Sequence, residues 1–139
     1  MSEKAAGEQT RAREKEDWEQ LRALELHLQR GQPLELTEAV RGLLKRAALQ
    51  VALSSADAEK GLQSSAEATA LLTRIRRRIR EGNERLSQAM LDAAYQAGTG
   101  NARSARRLLK AALEAEVVPY YRESLEALLH ALETLNLKS

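Results

Sequence analysis

The chain has no cysteine, no phenylalanine, two prolines and one tryptophan among 139 residues, and aromatic residues of all kinds make up 3%. The missing cysteines exclude a disulfide scaffold, thiolate-bound zinc, iron–sulfur clusters and a thiol nucleophile. Scarce proline leaves long helices uninterrupted. No apolar run approaches the 18 or so residues that read as a membrane span. The first twenty residues are charged and lack the apolar centre of a secretory leader, so the sequence reads as cytoplasmic. What remains is 43% hydrophobic, much of it Ala and Leu, and 30% charged, the composition of an all-α domain.

Helical periodicity organises nearly the whole chain. Residues 1–15 carry charge without an apolar stripe and are expected to form a flexible tail, with a single domain over 16–137. Trp18, Leu21, Leu24 and Leu28 share one face of a first helix that Gly31 and Pro33 end. A second helix begins after the N-cap Thr37 and turns Val40, Leu43, Leu44, Ala47 and Val51 inward. Ser54 and Asp57 have capping-box spacing and open a short separate segment, weakened by Gly61.

Ser64 and Glu67 repeat that spacing. From there Ala68, Leu72, Ile75, Ile79, Gly82, Leu86, Ala89 and Ala93 alternate steps of four and three, which predicts one helix over about 65–97, roughly 45 Å long. Gly82 on this seam implies close approach of another helix. On that basis Gly82→Leu should overpack, whereas Gly82→Ala should be close to neutral. Gly98 to Asn101 ends the long helix, and Asn101 caps a fourth with Ala105, Leu108, Leu109, Ala112 and Leu113 inward. Pro119 starts a fifth, carrying Tyr121, Leu125, Leu128, Leu132 and Leu135. Nothing alternates with period two. The expected architecture is an elongated antiparallel bundle of about five helices around one long central helix.

Charge is unevenly distributed. Residues 1–64 carry ten basic and eleven acidic groups, 65–110 carry ten and four, and 111–139 carry two and five. The centre of the basic region is Arg74, Arg76, Arg77, Arg78 and Arg80, five arginines within two helical turns, joined by Arg85, Arg103, Arg106 and Arg107. Such a belt suits a nucleic-acid backbone or an anionic surface. Equally, Arg77 with Glu81 and Arg80 with Glu84 have pairing distance on a helix, and the acidic last helix is available, so a solvated structural face explains the same residues.

Other candidates are weaker. Gly98-Thr99-Gly100 follows a helix and lacks a Walker lysine, so it is a turn and not a phosphate loop. His130 shares a helical face with Glu126 and Glu133, but no second His–carboxylate pair completes a metal site, and His27 stands alone. The serine pairs are explained by capping, and no nucleophile motif accompanies them. Tyr120, beside the apolar seam, is a candidate partner-binding anchor. No catalytic residue, metal or cofactor is expected.

Four separated strings, in order, carry a resemblance: Asp17-Trp18-Glu19-Gln20-Leu21-Arg22-Ala23-Leu24, Gly31-Gln32-Pro33-Leu34-Glu35-Leu36-Thr37-Glu38, Arg74 through Gly82, and Glu116-Val117-Val118-Pro119-Tyr120-Tyr121-Arg122-Glu123. Together they resemble the DUSAM domain, a paralogous family expanded in myxobacteria, over residues 17 to about 135. That family has no assigned function and no catalytic residues to carry over. The resemblance implies a bacterial helical domain for which protein–protein interaction or regulation suits many paralogues better than one metabolic reaction. A second likeness, in Tyr95, Gly98, Ala105, Leu109 and Leu113, is to a tetratricopeptide helical hairpin.

The expectation is therefore a non-enzymatic interaction or regulatory module whose partner is another protein. Nucleic-acid binding through Arg74–Arg80 is the alternative. A homodimer is compatible with the sequence.

Overall fold

The computed structural model describes residues 3–138, with side-chain surroundings at residue 7 and residues 9–135. Six helices follow one another: α1 (Glu3–Gln29), α2 (Glu38–Gln50), α3 (Ser55–Gly61), α4 (Ser65–Gly98), α5 (Ala102–Ala115) and α6 (Pro119–Lys138). No strand occurs among the described residues. The protein is all-α, as composition and periodicity predict, and α3 is the short separate segment expected after Ser54.

Local chemistry places the helix starts. Thr37 Oγ1 accepts from the Val40 amide at 3.2 Å, Ser54 Oγ from Asp57 at 3.1 Å, Ser64 Oγ from Glu67 at 3.0 Å and Asn101 Oδ1 from Ser104 at 3.1 Å. Each cap satisfies an amide with no intrahelical partner and contributes about 1 kcal/mol. Pro119 occupies the first position of α6, where its missing N–H costs nothing. Gly31 and Gly100 adopt φ of +82° and +84° in the turns after α1 and α4, which a side chain would oppose. Ala52, after α2, adopts φ +64° without being glycine.

The expected tail departs from the sequence reading. α1 begins at Glu3, so the segment expected to be a flexible tail is helical from that residue on. Residues 9–13 are all exposed, which agrees with the missing apolar stripe.

The chain divides into two compact units, Met1–Arg78 and Ile79–Ser139, at a boundary inside α4. The first unit holds α1, α2, α3 and the first part of α4 around Leu21, Leu43, Leu44, Val51, Leu72 and Ile75, each at most 3% exposed. The second holds the rest of α4 with α5 and α6. Its core is small-sided on α4, with Ala89 and Ala93, and is completed by Ala105, Leu109 and Leu125.

Glycine has a packing reason at two helical positions. A Cβ on Gly82 would lie 2.6 Å from Tyr121 Cε2, and one on Gly61 would lie 2.7 Å from Leu71 Cβ. The seam assignment of Gly82 is right, but the expectation that Gly82→Ala is near neutral is not. The ring it meets belongs to Tyr121, 4% exposed, which has little room to yield.

Candidate functional site

Two buried carboxylates organise the polar interior, one in each unit. Asp17 is 3% exposed and takes a two-pronged contact from Arg46, Nε to Oδ2 at 3.2 Å and Nη2 to Oδ1 at 3.1 Å. Gln50 Nε2 donates to Oδ2 at 2.9 Å while its Oε1 accepts from Trp18 Nε1 at 2.9 Å. Burial pushes the Asp17 carboxyl up, but the hydrogen bonds from Arg46 and Gln50 outweigh it and hold the group below the usual carboxylate range.

In the second unit Glu116, 2% exposed, lies in the turn between α5 and α6. Its Oε1 accepts from Arg85 Nη1 at 2.9 Å, and its Oε2 accepts from the amides of Val117 and Val118 at 3.1 and 3.0 Å. Arg122 Nη1 meanwhile donates to the carbonyls of Leu113 and Glu116 at 2.6 and 2.8 Å. Both acids are consumed by fold contacts. Neither faces a second carboxylate in the manner of an acid–base pair.

The basic belt is likewise largely engaged. Arg74 pairs with Asp57 of α3 at 3.5 Å, and Arg76 pairs with Glu25 of α1 at 3.3 Å. Arg78 donates to the Val51 carbonyl at 2.8 Å, which places a cation at the C-terminal end of α2. These partners come from other helices of the first unit and not from acids four residues along α4. Arg77 and Arg80 are exposed. Arg85 is bound to Glu116, whereas Arg103, Arg106 and Arg107 are exposed on α5. Arg74, Arg76 and Arg78 are thus spent on contacts within the first unit.

Tyr120 is half-buried with its ring edge-on to Tyr121, centroids 5.2 Å apart at 89°. It is partly packed and not a freely projecting anchor. Tyr95, one of the residues that carry the hairpin likeness, is 69% exposed. His27 and His130 are exposed, and no three His, Asp or Glu side chains gather to hold a metal among the described residues.

Apolar side chains left outside the core concentrate on the second half of α4. Met90, Leu91 and Tyr95 are 47%, 69% and 69% exposed within two turns. An apolar cleft of about 170 Å³, lined by Met90, Ala94, Ala97, Leu128, Ala131 and Leu135 among others, runs between α4 and α6. On the α5 side, Leu91 and Leu108 share a larger open groove with Glu84 and Asp92. The sequence reading missed this surface because Leu91 and Tyr95 were not singled out as off the seam, although both fall outside the four-three pattern.

A helical domain whose buried polar groups are spent on its own folding, and whose exposed features are apolar and cationic helix faces, is the class these observations define. The chain belongs to a family described as proteins of unknown function, DUF2379, whose model matches residues 16–132. That family is of the same kind as the DUSAM domain, but the match does not bear that name. No curated protein matches the chain, and no solved structure does. No helix among the described residues is long and apolar enough to cross a membrane.

Proposed function

We propose that this chain is a non-enzymatic, cytoplasmic interaction or regulatory module that binds another protein, and that it is the DUSAM domain its sequence strings resemble. The observation that carries the reading is the pair Leu91 and Tyr95, four residues apart and so on one face of α4, each 69% exposed, with Met90, 47% exposed, at the apolar cleft between α4 and α6. Scattered exposed leucines are ordinary, but a pair of large apolar side chains on one helix face, with an apolar cleft on the same helix, suits a protein contact. Burying Leu91 and Tyr95 would contribute on the order of 1.5–3 kcal/mol each. Nucleic-acid binding through the Arg74–Arg80 belt is less well supported, since Arg74, Arg76 and Arg78 already have partners within the first unit.

Affinity capture from the native cell tests the proposal, with wild type compared against Leu91→Ser/Tyr95→Ser. The expected result is one or more proteins retained by wild type and lost by the variant at an unchanged melting temperature. Equal retention by both, or retention of nucleic acid alone, contradicts it.

A further inference from the structure

The cations of α5 have no counterpart in the fold. Arg103, Arg106, Arg107 and Lys110 are all exposed, and none makes a hydrogen bond or ion pair with the described residues. Their spacing of three, four and seven puts them in one stripe, where like charges repel their neighbours. Arg103 stands in the first turn of α5, and that turn holds no acid, so the helix dipole opposes it too. Glu114, exposed four residues after Lys110, is the one acid of α5 on that side, so four cations face it. Arg74, Arg76 and Arg78 of the first unit, by contrast, reach an acid or a backbone carbonyl oxygen.

The complement of that stripe lies on the next helix. Glu126 and Glu133 of α6 are seven residues apart on one face. Helical spacing decides where both stripes point. On α5, the groove shared with α4 is lined by Leu108 and Ala112, and on α6 the cleft shared with α4 is lined by Leu128, Ala131 and Leu135. At 3.6 residues per turn, both charged stripes fall on the side of their helices away from α4. Between stripe and core, Leu113 on α5 and Leu129 on α6 are left only partly buried.

The outer face of the α5–α6 hairpin thus carries a positive stripe beside a negative one, with a leucine at the edge of each. Such a face is complementary to itself. A two-fold axis running along the helices sets the α5 of one copy antiparallel to the α6 of the other, twice over, and brings the half-buried leucines together. We infer that this face is a self-association surface and that its occupant is a second copy of this chain. The contact is separate from the apolar patch of Met90, Leu91 and Tyr95.

Exposed charge pairs are individually weak and screened by salt, so the association is reversible and needs high protein concentration. Sedimentation velocity of the full chain tests it, over protein concentrations up to about 200 μM and at about 50 and 500 mM salt, where exposed charges pass from weakly to strongly screened. Two variants are compared: one with Arg103, Arg106, Arg107 and Lys110 each changed to Glu, the other with Glu126→Lys and Glu133→Lys. Circular dichroism melting checks that each is folded.

Wild type should shift toward dimer at low salt, at least about tenfold more tightly than at high salt. Each variant alone should stay monomeric, and an equimolar mixture of the two should regain the heavier species, because each then presents the other with the opposite sign. Leu91→Ser/Tyr95→Ser should dimerise as wild type does. A wild type that is monomeric throughout overturns the inference, as do variants that dimerise alone, a folded mixture that fails to associate, or association lost on changing Leu91 and Tyr95. Unfolding of a charge-reversed variant is met by Gln at the same positions, which must weaken wild-type association and overturns the inference if it does not.

Discussion

The two units treat the same residue types in opposite ways. In the first, arginines of α4 reach Asp57, Glu25 and the Val51 carbonyl, and the core is filled by large aliphatic side chains. In the second, the cations of α5 have no partner among the described residues, α4 contributes alanines to the core, and Met90, Leu91, Tyr95 and Leu135 stay outside it. Arginines that hold the first unit together on α4 thus contrast with the exposed cations of α5, although Arg85 and Arg122 serve the second unit's own turn. Arginine density along a sequence is therefore a poor guide to a binding face. What matters is whether the fold supplies each guanidinium with an acceptor.

The sharpest way to break the comparison is to remove the buried, arginine-bound carboxylate Glu116 of the second unit. Glu116→Ala leaves Arg85 unpaired and the amides of Val117 and Val118 without their acceptor, so it should lower stability by about 3–5 kcal/mol. Urea unfolding measures it, and a loss under 1 kcal/mol would mean that Glu116 does not organise the turn.

Next in size are the two glycines at close contacts, one in each unit. Gly82→Ala and Gly61→Ala should each cost about 1–3 kcal/mol by overpacking, against a propensity gain of about 1 kcal/mol at the helix-interior site Gly82. If the Gly82 variant matches wild type in urea midpoint, Tyr121 is free to move and the contact is loose.

Asp17 gives the first unit a pH dependence. Its folded-state carboxyl titrates below its unfolded one, so its contribution is complete above the unfolded value of about 4 and is lost as pH falls through the lower folded value. Asp17→Asn should flatten the acid limb of stability against pH, measured by urea unfolding between about pH 2 and 6. Smallest is Ala52→Gly, expected to stabilise by roughly 1 kcal/mol because glycine adopts φ +64° without a Cβ penalty.

Much of the fold was legible because its signals are local. The four caps, the long α4 and the start of α6 at Pro119 each depend on residues within one or two turns. The buried acids were not legible as such, since both rest on contacts between distant helices. Each nevertheless left a trace. Asp17 stands four residues before Leu21 and seven before Leu24, on the apolar stripe itself, where a charged residue needs a buried partner. Glu116 stands three residues before Pro119, in the turn whose Val117 and Val118 amides lie outside both helices and need an acceptor. The arginines misled for the same reason: helical spacing offers Glu81 and Glu84 as neighbours, whereas Arg76 finds Glu25, 51 residues earlier in the chain.

The central claim is that the arginines of α4 in the first unit hold the fold while the cations of α5 serve the surface. One paired measurement tests it most directly: urea midpoints and sedimentation for Arg74→Gln/Arg76→Gln/Arg78→Gln beside Arg103→Gln/Arg106→Gln/Arg107→Gln/Lys110→Gln. The account predicts that the first set loses stability, with Arg76 and Arg78 as the main contributors, and that the second keeps or slightly gains stability while losing self-association. A stable first set together with a destabilised second set would contradict it.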